Sequence, residues 1–401
     1  MLDSPNPDVN QVVRLVSQAP SLPAPAGPVM HVRNSPELFE ALAKAADGTT
    51  ILLSDGNYFI EELLVQRHGL TIRSASGERE KVVLDGQCKF TKMIRVRGAK
   101  DLTIADMTMT NSRQYGIFML GDSDCQRLKV WNMKFHNIWV RAVKGTHGMR
   151  VDDNPGKGIL TVQQAMQRRP TGGQIRHCLF LNDTIKPFDD DGFDGDYVSG
   201  IDMMWLKDWT IADNVFVGIR GRNGRGRGAI FVWVNSEGVV AERNVIVNCD
   251  RGICFGNPSG DPLHMTGGIA RNNFIVAGNR QGVEFVRTVG SMCYNNTILG
   301  TADRFAVLEY NECSWGGKCF NNLVQGKISL NHDCARGNNY NGDLSGSLGR
   351  PEIGDLHLTP AGAEKAGAEV LGAGAALPEV TEDFDRHPRR SPPDIGAHQY
   401  S

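Results

Sequence analysis

Asn214-Val-Phe-Val, Asn244-Val-Ile-Val, Asn273-Phe-Ile-Val, Asn296-Thr-Ile-Leu and Asn322-Leu-Val recur along the chain, successive asparagines standing 30, 29, 23 and 26 residues apart. An earlier member reads Asn132-Met-Lys-Phe. A small residue opens a second apolar run 8 to 15 residues later in Ala142-Val143, Ala229-Ile230, Gly252-Ile253, Gly282-Val283 and Ala306-Val307, and the same opener recurs at Gly116-Ile117 and Gly200-Ile201. The runs are short, rich in Val, Ile and Phe, and bounded by Gly, Asn and Asp, which are strand and turn signals. One such coil cannot bury its own apolar positions, whereas stacked coils complete one another's backbone hydrogen bonds and form a continuous core. The repeat therefore predicts an all-β solenoid, a single-stranded right-handed parallel β-helix of about ten coils. Asn214, Asn244, Asn273, Asn296 and Asn322 are expected in one turn column, each amide bonding the coils on either side.

Working outward, residues 1–29 read as a Pro- and Ala-rich lead, extended or disordered. The solenoid with its N-terminal cap spans 30–345, and 346–401 form a Gly/Ala/Pro-rich tail packed on it. Ser35-Pro-Glu-Leu-Phe-Glu-Ala-Leu predicts a helix over Pro36 to Ala46, with Ser35 as N-cap and Phe39, Leu42 and Ala45 on its apolar face. It would cover the open end of the sheets. Gly158 to Arg169 has the pattern of a short helix inside an insertion.

The formal net charge of −2 gives no argument for nucleic acid or an acidic membrane surface. No apolar run approaches the length of a membrane span. The start, Met1-Leu-Asp-Ser, has no signal-peptide pattern. Taken literally it reads as cytoplasmic; we favour a mature secreted or periplasmic chain behind an initiator Met, expected to be monomeric. Of the nine cysteines, Cys249 with Cys254, and Cys313 with Cys319 or Cys334, are close enough in sequence to pair. Others, such as Cys178 and Cys293, lie in apolar runs that suit buried thiols. No zinc spacing is present.

The segment Asn34 to Tyr58, the Asn-run coils and the tail Asp383-Phe-Asp385-Arg-His-Pro-Arg389 with Pro-Asp394-Ile-Gly-Ala-His-Gln-Tyr together resemble secreted bacterial right-handed parallel β-helix proteins. The opening is similar to that of chondroitinase B- and alginate lyase-type proteins. The resemblance implies the fold and a carbohydrate-active role, and assigns no subfamily. The Lys and Arg blocks that mark those lyases are not found, nor is the paired-Asp and Gly-His-Gly pattern of polygalacturonase-type hydrolases.

Side chains alternate across a strand, so the small-apolar openers sort them. If Ile117, Val143, Ile201, Ile230, Ile253, Val283 and Val307 point inward, then Phe118, Lys144, Asp202, Phe231, Cys254, Glu284 and Leu308 form an outward column. Trp233 and Tyr310 follow two residues further along their strands, and Arg287 lies in a turn just past them. Charges interleaved with aromatic rings suit an acidic sugar polymer, although solvated surface charge is the plain alternative. Asp189-Asp-Asp-Gly-Phe-Asp194-Gly-Asp196 is either a solvated loop or a hard-cation site, with Asp189, Asp191, Asp194 and Asp196 as candidate Ca²⁺ ligands. Arg220-Gly-Arg222-Asn-Gly-Arg225-Gly-Arg227 is a basic loop, able to grip carboxylate or sulfate, to stand solvated or to pair with the acidic loop.

These features lead to an enzyme acting on an acidic polysaccharide, cleaving it by β-elimination. Lys144 is the expected base, Arg220 and Arg287 would neutralise the uronate carboxylate, and Asp202 would orient the lysine or bind metal. Trp233, Tyr310, Phe231 and Arg220 would hold the polymer. The alternatives are a glycoside hydrolase using Asp202 and Glu284, and a glycan-binding β-helix without catalysis.

Overall fold

The computed structural model describes residues 5–89, 91–147, 162–187, 193–259, 263–300, 303–310 and 313–400. Among these residues, parallel sheets of twelve, ten and eleven strands run the length of the molecule. The chain visits them in turn. Thr103–Ala105 lies in the twelve-stranded sheet, Thr108–Ser112 in the eleven-stranded and Tyr115–Leu120 in the ten-stranded, before Lys129–Trp131 begins the next coil. This is a right-handed parallel β-helix. Its interior is a continuous apolar column, with Phe135, Phe180 and Phe216 stacked at centroid spacings of 4.9 and 4.5 Å, matching the distance between neighbouring strands.

A two-residue turn joins the twelve- to the eleven-stranded sheet. Its first residue is left-handed in coil after coil: Asp106, Asn132, His177, Asp213, Arg243, Asn272, Asn295, Asn321 and Asn338 all have φ between 48° and 59°. Asn and Asp tolerate that conformation best. The second residue points inward and carries the expected ladder. Asn214 Nδ2 donates to Asn244 Oδ1 at 3.0 Å, Asn244 to Asn273 at 3.0 Å, Asn273 to Asn296 at 2.9 Å and Asn296 to Asn322 at 3.0 Å. Asn339 extends it by one coil at 2.9 Å. Asn132 does not belong to this column. It occupies the left-handed position one residue earlier, bonding Asp106 Oδ1 at 2.8 Å.

The cap is the helix Ser35–Lys44. Asn34, rather than Ser35, is its N-cap, accepting from Glu37 N at 2.9 Å while Glu37 Oε2 accepts from Arg33 N at 2.8 Å. Leu38, Ala41 and Ala45 are buried against the core with Leu42 packed beside them, as expected for Leu42 and Ala45, whereas Phe39 is exposed. The described part of the insertion contains the helix Val162–Arg168. Residues 5–28 run back along the solenoid. Asn248 bonds Asn6, His177 bonds the carbonyl of Ser17, Trp131 that of Pro20, and Thr50 that of Pro28.

The lead and the tail cover the outer face of the eleven-stranded sheet. Val12, Ile353, Leu356, Phe384 and Ile395 share an apolar cluster with Val215, Val245 and Phe274 of that sheet. A sheet covered on both faces needs apolar residues at consecutive positions, which is why the Asn runs read Val-Phe-Val without alternation. All nine cysteines are free thiols. The expected pairings do not form. Cys249 faces the solenoid interior, whereas the Cys254 thiol points outward to the carbonyl of Arg227. Cys319 is inside beneath Asn322, and Cys313 and Cys334 are likewise free.

Candidate active site on the ten-stranded sheet

Strand register aligns the openers. Ile117, Val143, Ile201, Ile230, Ile253, Val283 and Val307 are successive cross-strand partners, and so are Phe118, Lys144, Asp202, Phe231, Cys254, Glu284 and Leu308. Lys144, Asp202 and Glu284 thus share one outward column. Most of that column is nevertheless buried, because loops lie over it.

Two ionic clusters stand in the column. In the first, Asp202 Oδ2 meets Arg141 Nε at 2.6 Å and Lys144 Nζ at 2.9 Å, while Trp233 Nε1 donates to Asp202 Oδ1 at 3.0 Å. Burial pushes the Asp202 carboxyl up, but the Lys144 and Arg141 charges outweigh it and hold it below its ordinary value. The Arg141 guanidinium lies 3.7 Å over the Tyr197 ring. Tyr115, the strand partner of Arg141, has its phenol pushed up to about 12 by burial first and by Tyr197 second. In the second cluster Glu284 meets Arg227 at 2.9 Å and Arg251 at 3.3 Å. Arg227 also lies 4.7 Å over Phe231. Burial, then the Glu284 charge, raises the Tyr310 phenol beside it.

Each carboxylate meets two cations, so both clusters carry excess positive charge. The sequence reading did not single out Arg141, Tyr197, Tyr115 or Arg251. It sorted only residues following each opener, and Arg141 precedes one. Arg227 belongs to the same basic loop as Arg220, the arginine to which the sequence pattern points. Arg220 instead lines a cavity with Pro5, Pro7, Asn248 and Asp250, where the eleven-stranded sheet turns, so it does not join the column. Arg287 lies in the turn beyond the sheet and donates to the carbonyl of Pro258 at 3.0 Å.

The acidic and basic loops hold each other through backbone. Asp196 Oδ1 accepts from Asn223 N at 2.9 Å and Arg225 N at 3.3 Å, and Arg222 N donates to the carbonyl of Gly195. Asp250 Oδ2 accepts from Gly221 N at 2.7 Å and Gly226 N at 2.8 Å. The glycines serve close approach, since a Cβ on Gly221 would stand 2.3 Å from Asp196 Oδ1. Asp196 thus uses Oδ1 to accept two backbone N–H groups. Asp194 offers its carbonyl to Asn223 Nδ2, and Asp189 and Asp191 lie outside the described residues. Among the described residues, Asp383, Asp385 and His387 have ligand atoms close enough to hold a metal ion. They sit in the tail rather than on this sheet, where Asp383 accepts from His387 N and Gln399 N.

No family model matches the chain, and no curated protein matches it. Solved structures do. An alginate lyase from Paenibacillus sp. strain FPU-7 is 15% identical over 78% of this chain and 98% of that one, with a TM-score of 0.50. A rhamnogalacturonan lyase is 11% identical over 84% and 98%, at 0.49, and a pectate lyase 13% identical over 90% of each, at 0.48. The likeness is one of fold: the chain is a right-handed parallel β-helix resembling those of polysaccharide lyases.

Proposed function

We propose that the protein is a secreted polysaccharide lyase that cleaves an acidic polysaccharide by β-elimination on its ten-stranded sheet. The observation that carries this reading is the Arg141–Asp202–Lys144 cluster, one buried carboxylate between two cations. It adjoins a strip with Lys92 over Phe118 and with Arg95 in the same column. The alginate lyase named above adds support at the level of fold.

In this mechanism Lys144 first releases its ammonium proton to solvent while Arg141 keeps Asp202 paired, and the free amine then takes the proton α to the uronate carboxyl group, whose C–H electron pair forms the ring double bond. The bond to the glycosidic oxygen breaks, and Tyr115, whose raised pKa keeps its phenol protonated, supplies the proton to the departing oxygen. Arg141 replaces Arg220 as the cation that steadies the enolate-like carboxylate. No step is assigned to calcium. Asp202 and Glu284 stand three strands apart, roughly 14 Å, which exceeds the about 5–9.5 Å that a hydrolytic pair spans.

The test is a screen of uronate-containing, sulfated and neutral polysaccharides, with and without chelator, following the ultraviolet absorbance of an unsaturated uronate product. Reducing ends released without that absorbance would mean hydrolysis. Retention of polymer with neither would mean a binding protein.

A further inference from the structure

Exposure falls abruptly along the outward column of the ten-stranded sheet. Leu64 and the Arg95 side chain are each 39% exposed. Phe118 is half-buried. Lys144 is then 4% exposed, Asp202 1% and Glu284 0%, before Leu308 emerges half-buried again. The described cover over the middle is a built wall. Tyr197 lies on Arg141, and Arg227 lies on Phe231 while bonding Glu284. The wall is fixed at its base by Asp196 and Asp250, each accepting two backbone N–H groups, and by Arg227 N donating to the carbonyl of Val198 at 2.8 Å.

A polymer lying along a solenoid face needs that face open from one end to the other. Here the basic and aromatic part is open for three strand spacings, roughly 14 Å, and stops at Lys144. Resting on the lyase reading of this site, we propose that the enzyme works on chain ends. A terminal segment of an acidic polysaccharide would lie over Leu64, Arg95 and Phe118, its last residues abutting the wall at Lys144 and Tyr197. Internal stretches of a long chain cannot reach the cluster, because the chain would have to pass through filled space.

Two measurements test this. With a polyuronate of high molar mass, unsaturated product should accumulate while viscosity barely falls, and chromatography at low conversion should show one small product. An early ladder of mixed lengths would overturn chain-end action and leave the lyase reading standing. The second measurement does not depend on catalysis. Sedimentation of the protein with the same polyuronate at moderate salt should saturate at one protein per chain, and Arg95→Glu should weaken this binding roughly tenfold while Lys327→Glu, on the far side of the wall, leaves it unchanged. Many proteins per chain, or equal effects of the two variants, would overturn the proposal even if no elimination were found. Absence of elimination on every polymer, with end binding intact, would refute the lyase reading alone.

Discussion

A carboxylate buried on the outer face of a strand is costly unless cations meet it, and Asp202 is met by Arg141 and Lys144. The two sides of this cluster should respond differently to mutation. Asp202→Asn leaves two cations facing each other in a buried site and should cost about 3–5 kcal/mol, the range for breaking a buried pair, read as a lower denaturant midpoint. Lys144→Ala leaves Asp202 paired with Arg141, so the midpoint should move little while elimination is abolished. Unchanged turnover in Lys144→Ala on a verified substrate would remove it as base. Phe118→Ala should weaken polymer binding by roughly 1–3 kcal/mol, by analogy with stacking of bases on aromatic rings, and calorimetry on an oligosaccharide would measure it; Trp233 lies two strands beyond Lys144, bonded to Asp202, and is not placed to stack on a chain that stops at the wall. The alignment of Lys144, Asp202 and Glu284 was legible in the sequence because strand side chains alternate and each small-apolar opener marks the register. Tyr197 and Arg227 were not placed, because they come from loops whose path over the sheet no repeat encodes. Arg220 was misplaced for the same reason.

At the scale of the element, the Asn ladder is the part the sequence announces most clearly. Each ladder oxygen accepts both the backbone N–H and the amide of its neighbour: Asn273 Oδ1 accepts Asn244 N and Asn244 Nδ2, both at 3.0 Å. Asn273→Ala therefore strands two buried donors at once. It should destabilise by about 1–3 kcal/mol or more, measured as a shift in urea midpoint, and a neutral result would mean the ladder adds nothing to stability. The Asn132 coil shows where pattern reading fails. Both turn positions favour asparagine, one for left-handed backbone and one for the amide ladder, so a lone Asn before an apolar run does not reveal which it occupies. The cap helix failed by one residue for a similar reason: Asn34 and Ser35 are both good N-caps, and only the reach of Glu37 back to Arg33 N separates them.

Across the whole molecule the sheets divide the work. The ten-stranded face carries the candidate chemistry, and the eleven-stranded face is apolar outward and sealed by the lead and tail. The seal has a charged fastening. His357 donates from its ring to Asp355 at 2.6 Å and Asp385 at 3.0 Å, edge-on to Phe274 and Phe384, with His398 4.9 Å away. Burial lowers the imidazole pKa, yet hydrogen bonds to Asp355 and Asp385 outweigh it and raise the value from 6.5 to about 9. The neighbouring His398 is pushed down, by burial first and by the His357 charge second. A group bound more tightly to its proton when folded stabilises fully below its unfolded pKa and loses that contribution as pH rises through its folded one. Stability should thus decline between pH 6.5 and about 9, by on the order of 2 kcal/mol once the ring's remaining exposure is discounted. His357→Gln should lower stability at pH 6 and flatten that decline, because glutamine stays uncharged throughout. Denaturant midpoints of both proteins across this range would show it. An equally steep decline in His357→Gln would place the titrating group elsewhere, the tail remaining held by apolar contact and by Arg386 on Asp213 and Arg389 on Asn272.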